Sequence, residues 1–115
     1  MKIERFEDLL IWQRSKELTV EIYYIFENSK NFGFKDQINR AVVSVMNNIA
    51  EGFERKSNKE FKLFLYYAKG SSGEVRNMLH LAKEFKYIDE EKYTRLLNNS
   101  IEISKMISGL ISKIQ

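Results

Sequence analysis

Residues 61–85 read FKLFLYYAKGSSGEVRNMLHLAKEF. Phe61, Phe64, Ala68, Ser71, Val75, Met78, Ala82 and Phe85 alternate three and four apart through this stretch. A sustained 3.5-residue repeat predicts a long helix packed nearly parallel to its neighbours with a left-handed supercoil, which is the geometry of a helical bundle.

The flanking residues set its ends. Ser57-Asn58-Lys59-Glu60 matches the capping box, in which the serine oxygen accepts a backbone N–H and the glutamate reaches back to the cap. The helix is therefore expected over about 58–86. Asp89 reads as the cap of another helix, over about 90–114, with Glu90 and Glu91 favoured in its first turn by the macrodipole. Upstream, Ile38, Val42, Val45, Ile49 and Phe53 fall on one helical face and predict a helix over about 36–54. Leu9, Trp12, Leu18, Ile22, Ile25 and Phe26 predict one over about 7–29. Asn31-Phe32-Gly33-Phe34 interrupts the period and reads as the turn between these two.

The chain has 115 residues, no proline and five glycines. An all-β domain would need more turn punctuation. Short connections make sequential helices antiparallel neighbours, so the expected fold is all-α. It is a single domain over 1–115, an up-down-up-down four-helix bundle. The apolar surface exceeds what one bundle needs. Leu10, Ile11, Val20, Tyr23 and Tyr24 widen the first stripe, and Ala41, Val43, Met46 and Ala50 the second. That surplus reads either as ordinary exposed apolar surface or as a subunit interface, and self-association is the expectation.

Composition excludes several classes. Without cysteine there is neither a disulfide framework nor a thiolate metal site, as suits a cytoplasmic protein. No charge-free apolar run approaches the roughly 18 residues of a membrane span. The acidic residues in MKIERFEDLL argue against a signal peptide. Net charge is +3 with a pI near 9.1, mildly basic and compatible with RNA or DNA.

Catalysis finds no constellation. His80 is the sole histidine and falls on an outward face. No Glu-x-x-His pair exists for a di-iron site, and no zinc signature is present. No cofactor is expected. AKGSSGE (68–74) lacks the spacing and partner histidine of a serine nucleophile, and its small residues read as a close helix contact.

Charge is patterned more clearly. Lys62, Lys69, Arg76 and Lys83 recur every seven residues, along about 31 Å of one helix side. Lys59, Tyr66 and His80 occupy the adjoining outward column, and no acid of the helix falls on the strip. Such a strip reads either as a solvated bundle face, which often carries lysines for solubility, or as a surface for nucleic-acid phosphates, with Tyr66 able to stack on an unpaired base. A second pattern lies on the preceding helix. Arg40, Ser44, Asn48, Glu51 and Arg55 are four, four, three and four apart, and Ser71 and Glu74 lie beside the core seam of the next helix. These residues read either as an exposed face of i,i+4 pairs or as a buried network fixing register. In the latter case Gly52 permits close helix approach.

Together these residues resemble the four-helix-bundle family first described as encoded by intervening sequences of bacterial 23S ribosomal RNA. The matching motifs are FEDLLIWQ (6–13), QINRA (37–41), SVMNNIAEG (44–52) and FLYYAKGSSGE (64–74), and they span nearly the whole chain. Met46 stands where the family often has proline. Lys35 stands where it often has a capping Thr or Ser. The resemblance implies an antiparallel bundle assembling as a ring, typically a homopentamer, with no catalytic activity. Related bundles are accessory proteins of diversity-generating retroelements, which implies nucleic acid and a reverse transcriptase as partners. The function expected is thus a non-enzymatic homo-oligomer binding RNA or other nucleic acid through the third helix. The alternative is a ring-shaped scaffold for protein partners.

Overall fold

The computed structural model describes residues 2–115, and all of its regular structure is helical. A short 3₁₀ turn at Phe6–Asp8 precedes α1 (Leu10–Phe26), α2 (Phe32–Phe53), α3 (Asn58–Glu84) and α4 (Glu90–Lys113). Leu9, with φ −74° and ψ 127°, separates the turn from α1. The chain entry is fixed by Gln13 Nε2, which donates to Glu7 O at 2.9 Å, and by edge-on packing of Phe6 against Trp12. The first helix is therefore shorter than its apolar period suggested.

The second helix starts earlier than expected. Asn31 Oδ1 accepts the Phe34 N–H at 3.0 Å, so Asn31 is the N-cap and Phe32-Gly33-Phe34 is the first turn. The absent capping oxygen at Lys35 is thus supplied four residues upstream. Phe34 is buried against Phe26 of α1. Ser57 and Asp89 cap α3 and α4, accepting the N–H groups of Glu60 (3.1 Å) and Lys92 (2.8 Å). Lys86 ends α3 in the left-handed region at φ 62°, and the Tyr87 N–H returns to Ala82 O at 2.8 Å. This is the Schellman closure that glycine usually occupies.

The core differs from the expected seam on α3. Leu65, Ser72 and Leu79, spaced seven apart, are fully buried alongside Ala68, Val75, Met78 and Ala82. Phe85 is 53% exposed, and Phe61 and Phe64 are only half-buried. The helix is rotated so that its small residues and leucines, rather than its phenylalanines, fill the centre. All four helices contribute to one continuous core, which includes Ile22, Ile38, Ile49, Leu96, Ile103 and Ile107.

The helices pack as α1–α2, α2–α3, α3–α4 and α4–α1, with the α2–α3 contact the most extensive and α1–α4 the least. The residue pairs across the seams include Thr19–Val42, Ser44–Ser71 and Ser72–Ser100. Gly52 allows the α2–α3 approach. A Cβ built there would meet Phe64 Cβ at 2.5 Å and Phe61 Cδ1 at 3.2 Å. The α1–α4 seam carries two ion pairs, Arg14–Glu102 and Arg95–Glu21. The hydrogen bond from Arg14 holds the Glu102 carboxyl below its usual range and raises the guanidinium in turn.

Part of the apolar surplus goes inside: Ile11 and Ala41 are buried, and Met46 and Ala50 half-buried. Leu10, Val20, Tyr23 and Tyr24 of α1 remain exposed, as do Leu63, Tyr67 and Leu81 of α3. Among the described residues no helix is long and apolar enough to cross a membrane.

Candidate nucleic-acid interface

The rotation of α3 decides where its cations stand. With Leu65, Ser72 and Leu79 at the centre, the column one residue column further round is Lys62, Lys69, Arg76 and Lys83. It therefore lies along the α3–α4 seam rather than on an open outer face. Lys62, Arg76 and Lys83 are half-buried there, while Lys69, Lys59, Tyr66 and His80 are exposed.

The strip divides into two halves with different chemistry. Towards the C-terminus of α3 its polar groups are committed. Arg76 donates to Ser72 Oγ at 3.3 Å, and Ser72 in turn lies 3.4 Å from Ser100 Oγ. His80 Nδ1 is 2.8 Å from the Tyr93 hydroxyl. Lys83 Nζ sits 4.6 Å from the Tyr93 ring centroid and 3.4 Å from Glu90 Oε1. Towards the N-terminus, Lys59, Lys62 and Lys69 make no ion pair among the described residues. Lys62, Tyr66 and Lys69 line a depression with Ser108, Ile111 and Ser112 of α4. Tyr66 and Lys62 also line a second one, with Ser57, Lys59, Glu60 and Leu63.

The expectation of an acid-free face is thereby corrected at both ends. Glu90 pairs with Lys83 from α4, a partner that α3 alone does not reveal. Glu60 lines the second depression, although its carboxylate also lies 3.7 Å from Arg55 Nη1. Ser108 and Ser112 had not been singled out in the sequence. Their signal was present, since Ser100, Ser104, Ser108 and Ser112 recur four apart on one face of α4.

The polar residues of α2 separate similarly. Ser44 Oγ is 2.9 Å from Ser71 Oγ, and Asn48 Nδ2 donates to Ser44 O at 2.8 Å and to Ser44 Oγ at 3.1 Å. These three residues form a half-buried cluster across the α2–α3 seam. Arg40, Glu51 and Glu74 stand apart from it on the surface. Arg40 pairs with Asp36 at 2.8 Å, Glu51 with Arg55 at 3.2 Å, and Glu74 accepts from Gln37 Nε2 at 3.4 Å. The six residues therefore do not join into one network within the chain. Glu51→Ala is expected to change stability by no more than about 0.5 kcal/mol, since an exposed i,i+4 pair contributes little. Chemical denaturation checks this, and a loss above about 1 kcal/mol would mean that Glu51 has a partner in another subunit.

The serines of AKGSSGE are occupied in packing. Ser71 faces Ser44 of α2, and Ser72 faces Ser100 of α4. Small hydroxyl residues thus stand at both helix contacts of α3. Among the described residues no group of three or more His, Cys, Asp and Glu side chains is arranged to hold a metal ion.

Comparison with known proteins agrees with the fold. The family model for the 23S rRNA-intervening sequence protein matches residues 7–109. A crystal structure of a protein from the S23 ribosomal protein family of Bacteroides thetaiotaomicron, described as of unknown function, superposes with a TM-score of 0.84. The two chains are 29% identical, and the match covers 89% of this chain and 98% of that one. No curated protein gives a significant match.

Proposed function

We propose that this chain, which belongs to the 23S rRNA-intervening sequence protein family, is a non-enzymatic homo-oligomer that binds nucleic acid, RNA foremost, in the cytoplasm. The observation that carries this reading is the trio Lys59, Lys62 and Lys69. These cations flank an exposed tyrosine and have no carboxylate partner among the described residues. Cations held in no ion pair attract phosphate and release counterions when they bind it.

The assembly we infer is a ring of antiparallel, up-down-up-down bundles, with five subunits as the favoured number. Two separate apolar faces support a ring. One is on α1 (Leu10, Val20 and Tyr24), the other on α3 (Leu63, Tyr67 and Leu81). These helices do not pack on each other, so their outer faces point to different sides of the bundle. A contact joining one face to the other is heterologous, and heterologous contacts form a ring when the rotation between subunits closes. Every subunit then repeats the lysine trio around the circle.

Filter binding to a structured RNA across a range of salt tests the function. Three lysines per subunit predict a log–log slope of about −2 to −3 per bound subunit. The triple change Lys59→Glu, Lys62→Glu and Lys69→Glu is expected to abolish binding without altering the oligomer. A flat salt response would remove the nucleic-acid role. A ring scaffold for another protein, a reverse transcriptase included, is the second reading. Phe32, 73% exposed, and Phe85 offer such a partner an apolar contact.

A further inference from the structure

We propose that the ligand of the lysine trio is a single-stranded stretch, running along the α3–α4 groove with a base stacked on Tyr66. This inference rests on the nucleic-acid reading above and specifies its ligand. Tyr66 is 54% exposed and stands between two depressions, each with an apolar residue and lysines in its walls. Ile111 and Leu63 supply the apolar parts. Lys62 lines both depressions, Lys69 one of them and Lys59 the other.

The spacing fits a short run of nucleotides. Lys62 and Lys69 are seven residues apart, or on the order of 10 Å along the helix. That distance spans about two phosphates of an extended single strand, whose phosphates lie farther apart than the 3.4 Å rise of a strand within a duplex. The α4 wall adds hydroxyls. Ser108 and Ser112 line the depression from that side, and Ser112 donates to Gly109 O at 2.8 Å.

A duplex would leave most of this arrangement unused. Its base faces are stacked on one another, so only its phosphates could meet the groove, and neither Tyr66 nor the apolar walls would gain a partner. A single strand presents alternating phosphates and flat base faces. It matches lysines that flank an aromatic ring, and it does so without requiring a particular base.

The test uses the full chain and a fluorescently labelled 12-nucleotide oligouridine RNA. Anisotropy is measured at low salt for an unstructured strand and for the same strand annealed to its complement. The single strand is expected to bind at least tenfold more tightly. Tyr66→Ala is expected to weaken single-strand binding by about 5- to 150-fold and leave duplex binding unchanged. Tyr66→Phe, which keeps the ring, is expected to restore it. Lys62→Ala and Lys69→Ala are expected to weaken both ligands. Tyr66 lies on the surface, so melting curves of its variants should match the parent. Equal binding of strand and duplex, with Tyr66→Ala indifferent, would overturn the single-strand proposal while leaving nucleic-acid binding standing. Failure of both ligands to bind would overturn the broader reading as well.

Discussion

Gly52→Ala is expected to destabilise the bundle by about 1–3 kcal/mol, although alanine is the better helix former by about 1 kcal/mol. The two effects oppose each other, and geometry decides which wins. The new methyl would lie 2.5 Å from Phe64 Cβ, far inside van der Waals contact. Cβ is the root of that side chain and cannot swing aside, so relief requires α2 and α3 to move apart. Their separation would loosen the most extensive helix contact in the molecule. Gly109 supplies the control. Nothing lies within 4 Å of a Cβ built there, so Gly109→Ala is expected to stabilise by up to about 1 kcal/mol. Urea melts of the two variants should therefore shift in opposite directions. An unchanged or higher midpoint for Gly52→Ala would refute the close approach.

Leu79→Ala is expected to cost about 2–5 kcal/mol, the usual range for truncating a fully buried leucine and leaving a cavity. Phe85→Ala is expected to cost less than about 1 kcal/mol, because more than half of that residue already meets water. The ranking distinguishes the two possible seams of α3. A seam ending at Phe85 would make phenylalanine the costlier loss. Thermal denaturation of both single variants decides between them, and a larger loss for Phe85→Ala would contradict the rotation of α3 described above.

Helix α3 shows how much was legible in the sequence and why the rest was not. Its existence, its approximate length and its Ser57 cap followed from local chemistry, as did the Asp89 cap of α4. The 3.5 repeat also identified Ala68, Val75, Met78 and Ala82 as core. It did not locate the edges of the stripe. Leu65 and Leu79 are as apolar as their neighbours, and Ser72 is polar, so periodicity alone could not place that column inside. Burial of Ser72 depends on Ser100, which is 28 residues away and legible only once α3 and α4 are in register.

The start of α2 was missed for a different reason. Gly33 reads as part of an interhelical turn, yet it sits in the first turn of α2 beneath the Asn31 cap. The candidate site followed the same logic. The lysine column was visible from spacing, but spacing cannot say which lysines have partners. Glu90 and Tyr93 reach Lys83 and His80 from α4. Those pairings depend on lateral register between helices, which no single-helix pattern encodes.

The unequal seams have a kinetic consequence. α2 and α3 are locked by the Gly52 contact and the Ser44–Ser71–Asn48 cluster, while α1 meets α4 along the slightest interface, bridged by Arg14–Glu102 and Arg95–Glu21. Local opening follows the least costly boundary. The α2–α3 pair is therefore expected to be the lasting cooperative unit, and the first helix the one whose backbone amides meet solvent earliest.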